Sequence, residues 1–105
     1  MDKLVRIIKK TGLPFAYDHF AEGEAPSLPY ICFLFPESDN LAADGKVYYK
    51  KNRVNIELYT KKKDIFSEQR VEKILDENNI FYNKSEVWIE SEKMYEVLYK
   101  LEMEV

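Results

Sequence analysis

The sequence predicts an α+β domain: a mainly antiparallel sheet of about four strands with helices packed on one face, in the order α-β-β-α-β-β, within a single domain spanning 1–105. Three observations lead there. Apolar residues recur at helical spacing near the N-terminus and again after Asp64. They alternate at strand spacing from Tyr48 to Tyr59 and from Tyr95 to Val105. Polar or Pro/Gly-rich connections separate these periodic segments.

Taking the elements in order, Leu4, Ile7, Ile8 and Thr11 share one side of a helix that Asp2 can cap and that Gly12, Leu13 and Pro14 stop. From Pro14 to Pro29 the chain holds three of its four prolines and one of its three glycines, so it reads as an extended connection. Phe15, Tyr17 and Phe20 are its expected anchors. The run "YICFLF", Tyr30 to Phe35, is bounded by prolines and almost wholly apolar, as suits a strand covered on both faces. "ESDNLAADG" reads as a polar loop ending in Asp44-Gly45. In the long strand that follows, Tyr48, Val54, Ile56 and Leu58 fall on one side; Tyr49, Lys51, Arg53, Asn55, Glu57 and Tyr59 fall on the other.

Asp64 is a suitable N-cap for a helix to about Asn78, with Phe66, Val71, Ile74 and Leu75 as its apolar stripe and its glutamates facing water. "SEVWIES" alternates Val87 and Ile89, expected inside, against Glu86, Trp88 and Glu90, expected outside. The C-terminal segment sets Tyr95, Val97, Tyr99, Leu101, Met103 and Val105 against Glu96, Lys100, Glu102 and Glu104, with Leu98 breaking the pattern. A helix from Glu92 to Leu101 is the lesser alternative.

Composition narrows the function. Lys and Arg number 16 against 19 Asp and Glu, a formal charge of −3, so no global positive field draws the chain to DNA or an anionic membrane. No apolar run approaches the ~18 residues of a membrane span, and the short apolar run before "KKTG" is too short for a signal-peptide core. Cytoplasmic synthesis is the expectation. The single cysteine, Cys32, sits among apolar neighbours as a small buried hydrophobe, which suits a reducing compartment.

Catalytic patterns fail one by one, and no enzyme and no cofactor is expected. His19 follows Asp18, but one histidine and one cysteine announce no metal-ligand spacing, so an exposed or structural His19 outweighs a ligand role. Glu37, Asp39 and Asp44 suggest a calcium loop until Leu41 and Ala43 fall where oxygen ligands are needed. Three scattered glycines make no phosphate loop. The run Lys61, Lys62 and Lys63, with Lys50, Lys51 and Arg53, can contact phosphate beside stacking tyrosines. The plainer reading is a solvated strand end whose lysines protect an edge. Trp88, placed outward by parity, joins Tyr49, Tyr59 and Leu98 in a patch that is either a partner surface or cross-strand aromatic packing.

"LPYICFLF", the loop into "ADGKVYYKKNRVNIELYTKKKD", the capped helix and the closing strand pair together resemble the tail-terminator, or head-tail joining (tail completion), proteins of long-tailed phages and prophages. The carriers are Pro29-Tyr30 at strand entry, Tyr48-Tyr49 ahead of Val54, Ile56 and Leu58, and Tyr59-Thr60-Lys61 before the helix. The resemblance implies a non-enzymatic virion protein, assembled in the host cytoplasm. It would form a homo-oligomeric hexameric ring that caps the tail tube and joins it to a head-completion or connector protein. Nucleic acid would enter only as DNA passing through the lumen. On that reading Tyr49, Tyr59, Trp88 and Leu98 are candidate subunit-interface residues. Asp39, Asp44, Arg53, Lys61, Lys62 and Lys63 are candidate docking or lumen-facing residues, both sets placed by parity and loop position. The rival readings are a small cytoplasmic adaptor or regulatory domain and, less favoured, a nucleic-acid-binding module.

Overall fold

The computed structural model describes residues 2–37, 41–43, 46–49 and 51–104; for residues 41–43, 46–49, 51 and 104 it describes the backbone. The chain runs α1 (Asp2–Lys9), β1 (Phe15–Tyr17), β2 (Tyr30–Leu34), β3 (Leu41–Ala43), β4 (Lys46–Tyr49), β5 (Lys51–Thr60), α2 (Ile65–Glu77), β6 (Tyr82–Ile89) and β7 (Met94–Glu104). The main sheet has the strand order β1-β2-β5-β7-β6, and β3 and β4 form a separate two-stranded sheet. The α+β class holds, but the sheet is mixed and five-stranded.

Two segments account for the difference. The connection after Pro14 is not loop throughout: Phe15 to Tyr17 pair in parallel with Ile31 to Phe33. The expected loop "ESDNLAADG" contains β3, which pairs with β4 and takes Tyr48 and Tyr49 into that ribbon, apart from β5. Asp44-Gly45 lies outside the described residues. The aromatic anchors behave as expected: Phe15 and Tyr17 pack on Phe33, with ring centroids 6.3 and 5.4 Å away, and Phe20 meets Tyr30 edge-on at 5.1 Å.

The central antiparallel pair, β5 with β7, runs from Lys51↔Glu104 to Thr60↔Tyr95. Opposed residues share a face, so Val54, Ile56 and Leu58 lie with Leu101, Tyr99 and Val97. These six join Ile31 and Phe33 of β2, Leu4, Ile7 and Ile8 of α1, and Val71 and Leu75 of α2 in one buried core. Both helices therefore cover the same face. Each such aliphatic side chain removed from water stabilises by about 1.5–3 kcal/mol. The turn that follows α1 runs into Gly12, whose positive φ of 75° suits glycine; a Cβ there would lie 2.6 Å from an Arg70 guanidinium nitrogen.

Helix α2 starts as the sequence implies: Asp64 accepts from the Ser67 amide at 3.1 Å and the Ser67 hydroxyl at 2.8 Å. These hydrogen bonds hold the Asp64 carboxyl below its ordinary range. The helix is turned differently from expectation. Phe66 is 81% exposed, and Ser67 and Glu68 are buried instead. Five residues at ~100° each put Phe66 roughly 140° around the helix from Val71, whereas Ser67 and Glu68 stand one turn above it.

Buried Glu68 is matched by cations from two directions. Lys84 of β6 approaches its Oε1 to 2.6 Å and Lys63 its Oε2 to 2.9 Å. Lys84 also binds Glu72 at 2.8 Å, and the buried Tyr99 hydroxyl donates to the same Glu72 oxygen at 2.7 Å. Burial works against the charged forms of both Glu68 and Lys84. Hydrogen bonds outweigh it, those from Lys84 and Lys63 lowering Glu68 and those to Glu68 and Glu72 pushing Lys84 up to about 12.

Two predictions follow from α2. Asp64→Ala is expected to cost about 1 kcal/mol of stability, the usual value of a lost N-cap, read as a lower thermal midpoint. Glu68→Gln removes the buried partner of two exposed lysines, which keep Glu86 and Glu72, and is expected to cost about 1 kcal/mol near neutrality. Because folding lowers the Glu68 pKa, the wild-type advantage is present above the unfolded carboxylate range and is lost as pH falls through the folded value. Urea titrations of both proteins between pH 7 and pH 3 should therefore converge at the acid end.

Candidate functional site

The face of the sheet away from the helices is the one that neither α1 nor α2 covers. By register it carries Tyr30, Cys32 and Leu34 from β2, Arg53, Asn55, Glu57 and Tyr59 from β5, Glu96, Leu98 and Lys100 from β7, and Asn83, Ser85, Val87 and Ile89 from β6.

At its centre the Tyr59 hydroxyl stands 3.0 Å from Glu96 Oε2 and 3.3 Å from Glu57 Oε1. A phenol has one proton to donate and two carboxylates compete for it. Burial, and then the charge of Glu96, push the Glu57 carboxyl above its ordinary range despite that hydrogen bond. Burial followed by the two carboxylates raises the Tyr59 phenol as well, so it stays protonated. The Tyr59 ring lies 5.5 Å from that of Tyr30, which continues to Phe20.

Cys32 lies against this cluster and is buried, though on the side opposite the main core. Burial and the negative charges of Glu57, Asp18 and Glu96 push its thiol up to about 11, which removes the thiolate a nucleophile needs. Beyond the β1 edge, Asp18 and His19 point together, with Nδ1 2.8 Å from the carboxylate. The pair is exposed, and no group of three metal-capable side chains forms among the described residues. At the other end of the sheet an open cleft of about 760 Å³ is lined by Lys3, Asn55, Asn79, Phe81, Lys100 and Met103, among others.

The proposed interface set does not share one face. Tyr59 and Leu98 lie on the open face, each partly buried. Trp88 does not: it pairs with Tyr95, on the helix side, where the rings meet at 4.8 Å and its indole N–H donates to Glu90 at 2.5 Å. The parity assigned to β6 is therefore inverted. Val87, expected inside, is 54% exposed on the open face. The physical reason is α2: Glu68 and Glu72 hang over β6 and draw Lys84, and Lys63 draws Glu86, to the covered side. The glutamates of α2 expected in water are what anchor it.

Among the docking candidates, Arg53 is exposed on the open face with Nε 3.4 Å from Glu37. Lys61 and Lys62 are exposed in the β5–α2 connection. Lys63 is committed to Glu68 and Glu86, so the basic run does not act as three free charges. Asp39, Asp44 and the Tyr49 side chain lie outside the described residues. Sequence reading passed over Glu57 with Glu96, although both carried outward parity on long strands; only the register shows them meeting at Tyr59. Comparisons with protein-family models and with curated proteins give no match for this chain.

The carboxylate pair leads to a pH prediction opposite in sign to that of Glu68. A folded-state pKa raised above the unfolded value means stability is greatest below the unfolded value and is lost as pH rises through the folded one. Glu57→Gln, which keeps an acceptor for Tyr59, is expected to stabilise the protein slightly at pH 7, by under about 1 kcal/mol. The gain should vanish when the comparison is repeated by chemical denaturation near pH 3.5.

Proposed function

We propose that this chain is a structural subunit of a long-tailed phage or prophage, one that assembles as a homo-oligomeric ring, caps the tail tube and joins it to the head connector. The observation carrying the reading is the open sheet face. One side of the sheet is sealed by two helices; the other presents Tyr30, Tyr59, Leu98 and Val87 interleaved with Arg53, Glu57, Glu96 and Lys100. Mixed apolar and charged surface of this kind suits a repeated protein contact, in which apolar area supplies affinity and charge supplies register. Around a ring, modest contacts become sufficient because each closes intramolecularly. The sequence resemblance supplies the identity of the assembly.

The β3–β4 ribbon fits the same reading, since among the described residues it pairs with no strand of the main sheet, as suits an element that serves a neighbouring subunit or tube. The basic run offers less to a nucleic-acid role than its sequence suggests, because Lys63 already neutralises carboxylates of its own chain.

Electron micrographs of the purified protein, alone and mixed with isolated tail tubes, provide the test. Rings, or caps seated on tube ends, are the expected result. Leu98→Lys should abolish them while leaving the circular dichroism spectrum unchanged. A protein that stays monomeric by light scattering at high concentration and ignores tube ends would overturn the reading.

A further inference from the structure

Strand β6 ends the sheet opposite β1, eight residues long and largely exposed. Its backbone pairs with β7 on one side; on the other, among the described residues, it meets no strand. A strand edge of this length is a template for another strand. We propose that β6 pairs with β6 of a second copy of this chain, antiparallel about a two-fold axis at Ser85, joining two five-stranded sheets into one.

Backbone geometry and charge select the register. In an antiparallel ladder opposed residues point to the same face and turn their backbone groups the same way, toward each other or apart. A strand pairing with itself must then centre on a residue, never between two. Centring on Lys84 sets two ammonium groups opposite each other, and centring on Glu86 sets two carboxylates opposite; like charges in direct opposition destabilise. Centres nearer either end shorten the ladder. Centring on Ser85 sets Lys84 against Glu86 of the second copy, twice over, and keeps Tyr82 through Trp88 of both strands in the ladder. It also puts Tyr82 opposite Trp88 and Asn83 opposite Val87.

The surroundings accept that register. A two-fold axis perpendicular to the sheet leaves both α2 helices on the same side. Lys84 and Glu86 already lie on that side, within the chain of alternating charge formed with Glu72, Glu68 and Lys63. Glu86 of the second copy extends this chain across the seam. The contact is isologous and closes at two copies, whereas a ring requires a heterologous contact. It therefore stands or falls separately from the role in tail assembly.

Disulfide trapping tests the register directly. Ser85→Cys is expected to give a covalent dimer under mild oxidation, with the wild type, whose Cys32 is buried, as the control. Asn83→Cys and Val87→Cys should fail singly and succeed when combined in one chain. In sedimentation experiments the wild type should show a dimer that dissociates on dilution. Ser85→Lys, which opposes two ammonium groups at an exposed position, should lower the association constant at least fivefold with an unchanged circular dichroism spectrum. Equal trapping at positions 83, 85 and 87, or a wild type that is monomeric throughout, would overturn the proposal.

Discussion

The ladder between β5 and β7 decides what every other element does. Because side chains alternate along a strand, a slip of one residue would send Val54, Ile56 and Leu58 to the open face and bring Glu57 and Tyr59 under the helices. No such slip is tolerable, since the burial of those three side chains opposite Leu101, Tyr99 and Val97 forms the centre of the core. The same ladder brings Glu96 beside Tyr59 and Glu57. Core and candidate surface are thus two consequences of one register, one on each face.

The second organising interaction is polar. α2 does not rest on β6 through apolar contacts alone; Lys84, Glu68, Glu72 and the hydroxyl of Tyr99 form a bonded chain between helix and sheet. A buried carboxylate without a cation is costly, so Glu68 is compatible with this fold only while Lys84 or Lys63 reaches it. The arrangement also fixes orientation. A helix sliding along an apolar sheet face loses little, but one whose carboxylates must meet two lysines has few acceptable positions.

What was legible in the sequence follows from the distinction between local and non-local causes. Val54, Ile56 and Leu58 announce their strand because alternation is a local property, and Asp64 announces its helix because capping involves residues three apart. β1 was not legible because three residues carry too short a pattern, and their strand character comes from Ile31 to Phe33, far along the chain. β6 was misread for a related reason. Val87 and Ile89 look like the inner parity when hydrophobicity is the sole criterion, yet the covered side of an edge strand is also open to charged residues whose partners hang from a helix. Glu68 and Glu72, one turn apart and beside Val71 and Leu75, were the available signal. It becomes informative only once α2 is known to lie over Lys84.

The open face carries a restriction on whatever covers it. Glu57 and Glu96 share the single proton of Tyr59, and Glu57 already holds its own proton more tightly than an ordinary carboxyl because it is partly removed from water. A purely apolar neighbour would remove more water and raise the cost of both charges. A neighbour that brings a lysine, an arginine or a hydrogen-bond donor relieves it. Favourable cover for this face is therefore amphipathic, apolar over Leu98 and Val87 and cationic over Glu57 and Glu96. An intrinsic mismatch in the isolated subunit thus becomes a source of specificity once a complementary surface arrives.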